Sequence, residues 1–361
     1  VSPWYFWADV PVRKKKRFAF SNDYSKADWP DVQYRGIFLN DEEELDAWSK
    51  IHTKDDTIGP ETYAHIFELL LRLKANYIWP AMHVNYFNSD PENGRLAEKM
   101  GIVVGTSHCD MLLRSNQNEW TPWLKKKNYE NIRYDYSLSG ENREIIQEYW
   151  AESVEMNRNY EVCYTVGMRG IHDSGFVTEV IDQDTSLTQS ERTEKKIHLL
   201  EKVISDQREI LKEVLGEEKG NSVPQTFIPY KEVLDLYDGG LQVPEDVTLI
   251  WVDDNFGYMR RYPGKEEQER KGGNGLYYHA SYWASPGMSY LFFNSIPLAQ
   301  TGNELKKCWE SGIRKMWVLN VGALKPLEID TEFFLRYSWE AGKNTSNTKD
   351  VTQFISRWIN R

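Results

Sequence analysis

The sequence predicts an α/β chain folded as a (β/α)8 TIM barrel, and two observations carry that prediction. Eight short apolar runs are spread along the 361 residues, and each is followed at its C-terminal end by polar or charged side chains. Between them lie segments whose apolar residues recur at helical spacing. A parallel barrel has this grammar, because its strands are buried on both faces and its working face lies where the strands end. A single polar ending reads as an ordinary loop. Eight in succession, with Arg, His, Asp and Glu among them, point to a shared site.

The first run, Tyr34 to Leu39, leads into Asn40-Asp41-Glu42. Gly59-Pro60-Glu61 then opens a helix, with Pro in the first turn where its missing N–H costs nothing. Ile66, Leu69, Leu70 and Leu73 form its buried stripe. Ala75 to Trp79 ends in Pro80, Met82 and His83. The cluster Asn88 to Asn93 is a turn, and a short helix follows to Met100. Gly101 to Gly105 ends in Thr106-Ser107-His108-Cys109-Asp110. Trp120 to Arg133 reads as a longer loop rich in Trp and Lys. Ser139 to Asn157 reads as a helix with Ile145, Ile146, Tyr149 and Trp150 on one face.

Tyr160 to Gly167 ends in Met168-Arg169-Gly170-Ile171-His172-Asp173. Thr188-x-x-Glu191 is a capping box. It starts a helix with Ile197, Leu200, Val203, Ile204, Leu211 and Leu215 inward and Gly216 as its C-cap. Pro224 to Ile228 ends in Tyr230-Lys231-Glu232. Val247 to Val252 ends in Asp253-Asp254-Asn255-Phe256-Gly257, and this run is the most strand-like of the set. Pro263 to Asn274 is polar and Gly-rich, a candidate lid. Leu276 to Tyr278 ends in His279, Ser281, Tyr282 and Trp283. Thr301-x-x-Glu304 reads as a second capping box before Lys315 to Leu319, which ends in Asn320, Gly322 and Lys325. Ser338 to Arg361 reads as one more helix after a polar linker.

A net charge of -11 excludes a nucleic-acid partner as the natural reading, since phosphate binding wants a basic face. The run Arg13 to Arg17 is a solvated charge segment. Aromatics make up 14% of the residues, a compositional hint of sugar binding. Cys109, Cys163 and Cys308 are odd in number and widely spaced, which predicts neither a disulfide framework nor a zinc knuckle. Cys163 and Cys308 sit in apolar stretches as core residues. No run of 18 apolar residues predicts a membrane-spanning helix. The aromatic start Val1 to Trp7 lacks a signal-peptide pattern and reads as the interior of a longer protein.

Hydrolysis of a glycosidic bond needs two carboxyl groups, one to protonate the leaving oxygen and one to activate water or attack. The strand ends supply Glu42, Asp173, Glu232, Asp253 and Asp254. Lys231 beside Glu232, and Arg169 one helical turn from Asp173, add positive charge. A cation among carboxylates implies an anionic substrate or a tuned base. The plainer reading of Arg169 with Asp173 is a structural ion pair.

These residues also carry a resemblance. Tyr34 to Glu42, Thr165 to Asp173, Trp251 to Tyr258 and Trp317 to Gly322 are together similar to glycoside hydrolase family 115, the xylan α-1,2-glucuronidases. The resemblance runs from about Tyr5 to Trp339. It implies a catalytic barrel that removes glucuronic acid or its 4-O-methyl ether from xylan with inversion, without cofactor or metal. Motif by motif it points to Glu42, Arg169, Asp173, Glu232, Asp253, Asn255, His279 and Asn320, with His108 as a further substrate contact and Asn88 as a weaker match. Glu232 is expected as general acid, its carboxyl raised by the apolar strand end Phe227 to Tyr230. Asp173 is expected to activate water, with Glu42 or Asp253. Arg169 and His279 are expected to hold the uronate carboxylate or ring hydroxyls. The pattern departs from the family at Cys109-Asp110-Met111 and at Ala323.

The resemblance further implies glucuronoxylan or aldouronic acid oligosaccharides as partners, no membrane or nucleic acid, and a secreted or periplasmic full-length protein. Homodimerisation would run through domains outside this chain. Residues 1–33 are expected as a leading segment, 34–337 as the catalytic barrel, and 338–361 as a helix toward a further domain. Two rivals use the same residues. One is a barrel that binds acidic xylan without cleaving it. The other is a metal-dependent hydrolase built on His108, Asp110, His172 and Asp253, which lacks a familiar metal spacing.

Overall fold

The computed structural model describes residues 2–8, 16–17, 19–40, 42–282, 294–343 and 348–360. Asp41, Trp283 and residues 13–15 of the basic run lie outside the described residues.

All eight predicted strands form: β1 Tyr34–Phe38, β2 Tyr77–Trp79, β3 Val103–Val104, β4 Tyr164–Thr165, β5 Gln225–Phe227, β6 Thr248–Val252, β7 Asn274–His279 and β8 Ile313–Asn320. They make one parallel sheet in the order β3-β2-β1-β8-β7-β6-β5-β4, which is the cyclic order of a barrel opened between β3 and β4. At that seam the edges meet through one isolated parallel bridge, Val104 with Val162, supported by Cys163 N–H on Val104 O at 2.8 Å. The expectation of a regular closed barrel is corrected to that extent. The sheet is a curled, TIM-like one, and its two-residue seam strands are too short to build a full ladder.

Alternation along the strands separates two cores. Ile250 and Val252 of β6 and Tyr277 of β7 point into the lumen, where they join Phe38, Trp79, Tyr230 and Val318. Leu249, Trp251, Leu276 and Tyr278 point outward to the helices. The two cores explain why the runs are apolar without interruption. The strands can approach this closely partly because Gly36 has no side chain: a Cβ there would lie 2.0 Å from Tyr77 O.

The predicted helical stripes are buried in Pro60–Arg72, Glu141–Asn157 and Gln189–Leu215, except that Leu215 at the end of the last is only partly buried. The Thr188/Glu191 capping box closes as expected, with both reciprocal bonds present. The aromatic start packs down as well: Trp7 stacks on Trp48 at 4.3 Å, and Trp4 Nε1 donates to Glu332 Oε2 at 3.2 Å.

Three expectations are corrected. Residues within the expected loop Trp120 to Arg133 form a helix, Trp120–Lys127, because Trp120 and Trp123 share a buried face and three lysines complement the last turn. Thr301 and Glu304 do not cap a helix, since Leu298–Glu310 begins earlier. Glu304 lies inside it and accepts from Met259 N at 3.1 Å and the Tyr262 hydroxyl at 2.7 Å. The stretch Pro263 to Asn274 is not a lid. Its Arg270 donates to the carbonyls of Val243, Pro244 and Val247, which places it at the face where β6 begins. Among the described residues no helix is long and apolar enough to cross a membrane.

Candidate active site

The strand C-termini enclose a cavity of about 320 Å³. A larger hollow of about 560 Å³, between Arg72, Lys74, Arg336 and Trp339, lies where the strands begin, and none of the predicted site residues reaches it. The lumen rings Phe38, Tyr230 and Tyr277 line the catalytic-face cavity, with Tyr282 beside them. The many tryptophans serve mainly as core, and among the described residues none lines this cavity.

Glu42 stands in the cavity wall, 1% exposed. Its carboxylate accepts the backbone N–H groups of Met82 (2.5 Å), His83 (2.6 Å), Val84 (2.7 Å) and Asn85 (2.7 Å). Burial pushes the carboxyl up to about 7, while the four N–H donors favour the ionised form. The geometry decides for the anion, because a carboxyl proton would have to point at one of four donors. The sequence placed Glu42 in the chemistry. The structure places it as the anchor of the loop after β2, with both oxygens engaged. Glu42→Gln should therefore destabilise the protein by roughly 2–4 kcal/mol, as an amide nitrogen is forced against N–H donors. Urea unfolding measures this, and a loss below about 1 kcal/mol would contradict the anchoring role.

Arg169, Asp173, Lys231 and Glu232 converge from the ends of β4 and β5. Arg169 is buried, and it clamps Glu232 through Nε to Oε1 at 2.9 Å and an NH2 to Oε2 at 2.8 Å. Its other nitrogen pairs with Asp173. Asp173 also receives Lys231 Nζ at 3.0 Å and lies 3.2 Å from His108 Nε2. Its side chain is 32% exposed and lines the cavity. His172 and Asp173 both hold left-handed backbone, φ 56° and 58°, as does Lys231 at φ 50°. Strain of this kind persists only where surrounding contacts enforce it. Here the ion pairs do so, together with Asn116, which donates to Gly170 O at 3.1 Å.

Two expectations change at this cluster. The Arg169 fork is already occupied by Glu232, so it does not present that fork to a substrate carboxylate. Burial acts to raise the Glu232 carboxyl, but hydrogen bonds and charge from Arg169, with the N–H of Phe176, hold it below the usual carboxylate range. Glu232 is absent from the main cavity wall and borders a smaller hollow of about 190 Å³ with Phe176 and Lys196. Burial also raises the Asp110 carboxyl well above its ordinary value, opposed by a single backbone N–H from Asn116 at 3.1 Å, and Asp110 does line the cavity.

Asp253 is fully buried beneath His279, accepting its N–H at 3.1 Å and pairing with Nδ1 at 2.5 Å. His279 lines the cavity and Asp253 does not. Asn320 and Asn255 are buried outside the wall, Asn255 with left-handed φ 67°. Asn88 is also outside the site. It braces Leu113 O at 2.8 Å and accepts Asn157 Nδ2 at 3.1 Å. His108 lines the cavity, and burial holds its imidazole well below its ordinary value. Tyr230 and Tyr277 line the cavity without a role assigned from the sequence, as do Gln117 and His83, although Tyr230 and His83 are among the residues named at strand ends. The first two alternate with known inward positions, a signal that was available.

The proposed metal set does not assemble, since His172 is bound to Gln117 and Asp253 to His279. His108, Cys109 and Asp173 do bring donor atoms within 4.8 Å of one another. Arg169 and Lys231 already neutralise Asp173, and burial pushes the Cys109 thiol up to about 12, so this trio suits a cation poorly.

Residues 27–361 match the sequence profile of glycosyl hydrolase family 115. The chain belongs to that family. A solved family 115 4-O-methyl-α-glucuronidase with specificity for decorated arabinogalactans is 41% identical, with a TM-score of 0.85 over 99% of this chain. This family 115 chain spans 45% of that protein's length. A β-N-acetylhexosaminidase from Bacteroides fragilis is 9% identical with a TM-score of 0.52, covering 92% of this chain and 71% of its own, and shares the fold alone. No curated protein matches the chain.

Proposed function

We propose that the chain is the catalytic part of an inverting α-1,2-glucuronidase that removes glucuronic acid or its 4-O-methyl ether from xylan or a similarly decorated polysaccharide. The observation that carries this reading is Asp173, a partly exposed carboxylate paired with Arg169 and Lys231 in a family 115 cavity walled by Phe38, Tyr230 and Tyr277. A pocket of this size suits one terminal sugar rather than a long chain. Asp173 is the group that activates water. Asp110 is the proton donor, because its burial at the cavity wall favours the protonated carboxyl. Lys231, with Nζ donors left over from its pair with Asp173, receives the uronate carboxylate. Asp253 positions His279 for the ring hydroxyls, and Glu232 holds Arg169 in place. Residues 34–337 form the catalytic unit, flanked by 1–33 and 338–361 as connections to neighbouring domains, through which a homodimer would form. The full-length protein acts outside the cytoplasm, where its polymeric substrate is found.

The test is incubation of the full-length protein with 4-O-methylglucuronoxylan and, separately, with a uronate-decorated arabinogalactan. Free uronic acid should appear, and early NMR spectra should show the β-anomer, as inversion of an α bond requires. Binding without release would instead favour a non-catalytic acidic-polysaccharide module. The two polymers differ in backbone, so their relative rates assign the substrate.

A further inference from the structure

The cavity floor carries a hydrogen-bond chain with one consistent placement of protons. Gly322 N–H donates to Asn320 Oδ1 at 3.1 Å. That fixes the amide, so its nitrogen is the atom facing the lumen. Asn320 Nδ2 donates to the Tyr277 hydroxyl oxygen at 3.0 Å. An amide nitrogen cannot accept, so Tyr277 cannot donate back. Its own proton needs another acceptor, and none is found among the described residues. Tyr277 lines the cavity, its ring 4.4 Å from that of His279 and 5.1 Å from that of Trp79.

We propose that Tyr277 is a fixed hydrogen-bond donor to a sugar oxygen of the substrate, and that Asn320 is the positioning residue that turns the phenol proton into the cavity. This inference rests on the glycosidase reading of the site. Burial raises the phenol well above its ordinary value, so it remains a donor throughout the working pH range. The ring is held by Phe38, Trp79 and Tyr230, which leaves the hydroxyl little freedom. A donor of this kind reads a lone pair and nothing else. It accepts a hydroxyl and a methyl ether alike, and it rejects a sugar lacking that oxygen. Asn320 is thereby removed from direct substrate contact, where its motif had placed it.

Calorimetry on the full-length protein with four probes tests this: glucuronic acid, 4-O-methylglucuronic acid, galactose and xylose. Tyr277→Phe keeps the ring and removes the donor. It should weaken whichever sugar the wild type binds by about 10-fold. Asn320→Asp presents a carboxylate that accepts the phenol proton and withdraws it from the cavity. It should produce a similar loss, and the double variant should bind no more weakly than Tyr277→Phe alone. A merely structural Tyr277 would lower Tm and leave the Kd of the folded protein unchanged. Should Asn320→Asp fail to fold, Tyr277→Phe decides by itself, and wild-type affinity in that variant overturns the proposal. A wild type that binds only galactose or xylose defeats the glucuronidase reading while Tyr277 is still judged on that sugar. One that binds none of the four defeats both.

Discussion

Asp173→Asn should abolish nearly all hydrolysis, lowering kcat by about 10²–10⁴-fold on every substrate the protein cleaves. The amide matches the carboxylate in size but cannot take a proton from water. It also withdraws the negative charge that Arg169 and Lys231 share, at 3.0 Å in the case of Lys231. Because a base acts on the water and not on the leaving group, a xylan branch and an aryl glucuronide should suffer alike. Glu232 still pairs with Arg169 through two hydrogen bonds, so the fold should survive. A thermal melt confirms that before kinetics are read. An Asp173→Asn enzyme within about threefold of the wild type would leave Asp173 as an ion-pair partner only, the plainer reading of Arg169 with Asp173.

Asp110→Asn and Glu232→Gln should separate by leaving group. If Asp110 donates the proton, its amide variant should lose about 10²–10⁴-fold on polysaccharide, whose leaving alcohol is poor. The loss on an aryl glucuronide should be much smaller, because that leaving group needs little protonation. Glu232→Gln removes the partner of Arg169 and should slow both substrates by a similar factor. The pH profile carries the same information. A donor must be protonated, and burial raises Asp110. The alkaline limb on polysaccharide should therefore extend above the usual carboxylate range and vanish in Asp110→Asn. Were the leaving-group dependence found in Glu232→Gln instead, the donor role would return to Glu232, with substrate binding having to break the Arg169 clamp first.

Much of the architecture was legible because it depends on local chemistry. Strands buried on two faces must be apolar throughout, so all eight could be located, and polar residues after each run marked the working face. The Thr188/Glu191 cap was readable because both partners lie within one turn. The corrected elements failed for the same reason. A Thr and a Glu three apart look alike at a helix start and within Leu298–Glu310, and burial of Glu304 against Met259 and Tyr262 is a contact between distant segments. The polar stretch after β6 has a lid's composition, but Arg270 ties it to the opposite face through carbonyls that only folding brings near.

By itself, the sequence determined that the chain is an α/β barrel-type domain with its carboxylates and cations at the strand ends, since periodicity and motif order are properties of the chain. The tertiary structure alone decided which of those groups remain free. Glu42 has its two oxygens taken by four N–H groups of another loop, Arg169 is spent on Glu232 and Asp173, and Asp253 lies beneath His279. Availability for chemistry depends on which donors, charges and apolar walls surround a side chain, and those neighbours come from residues far apart in sequence.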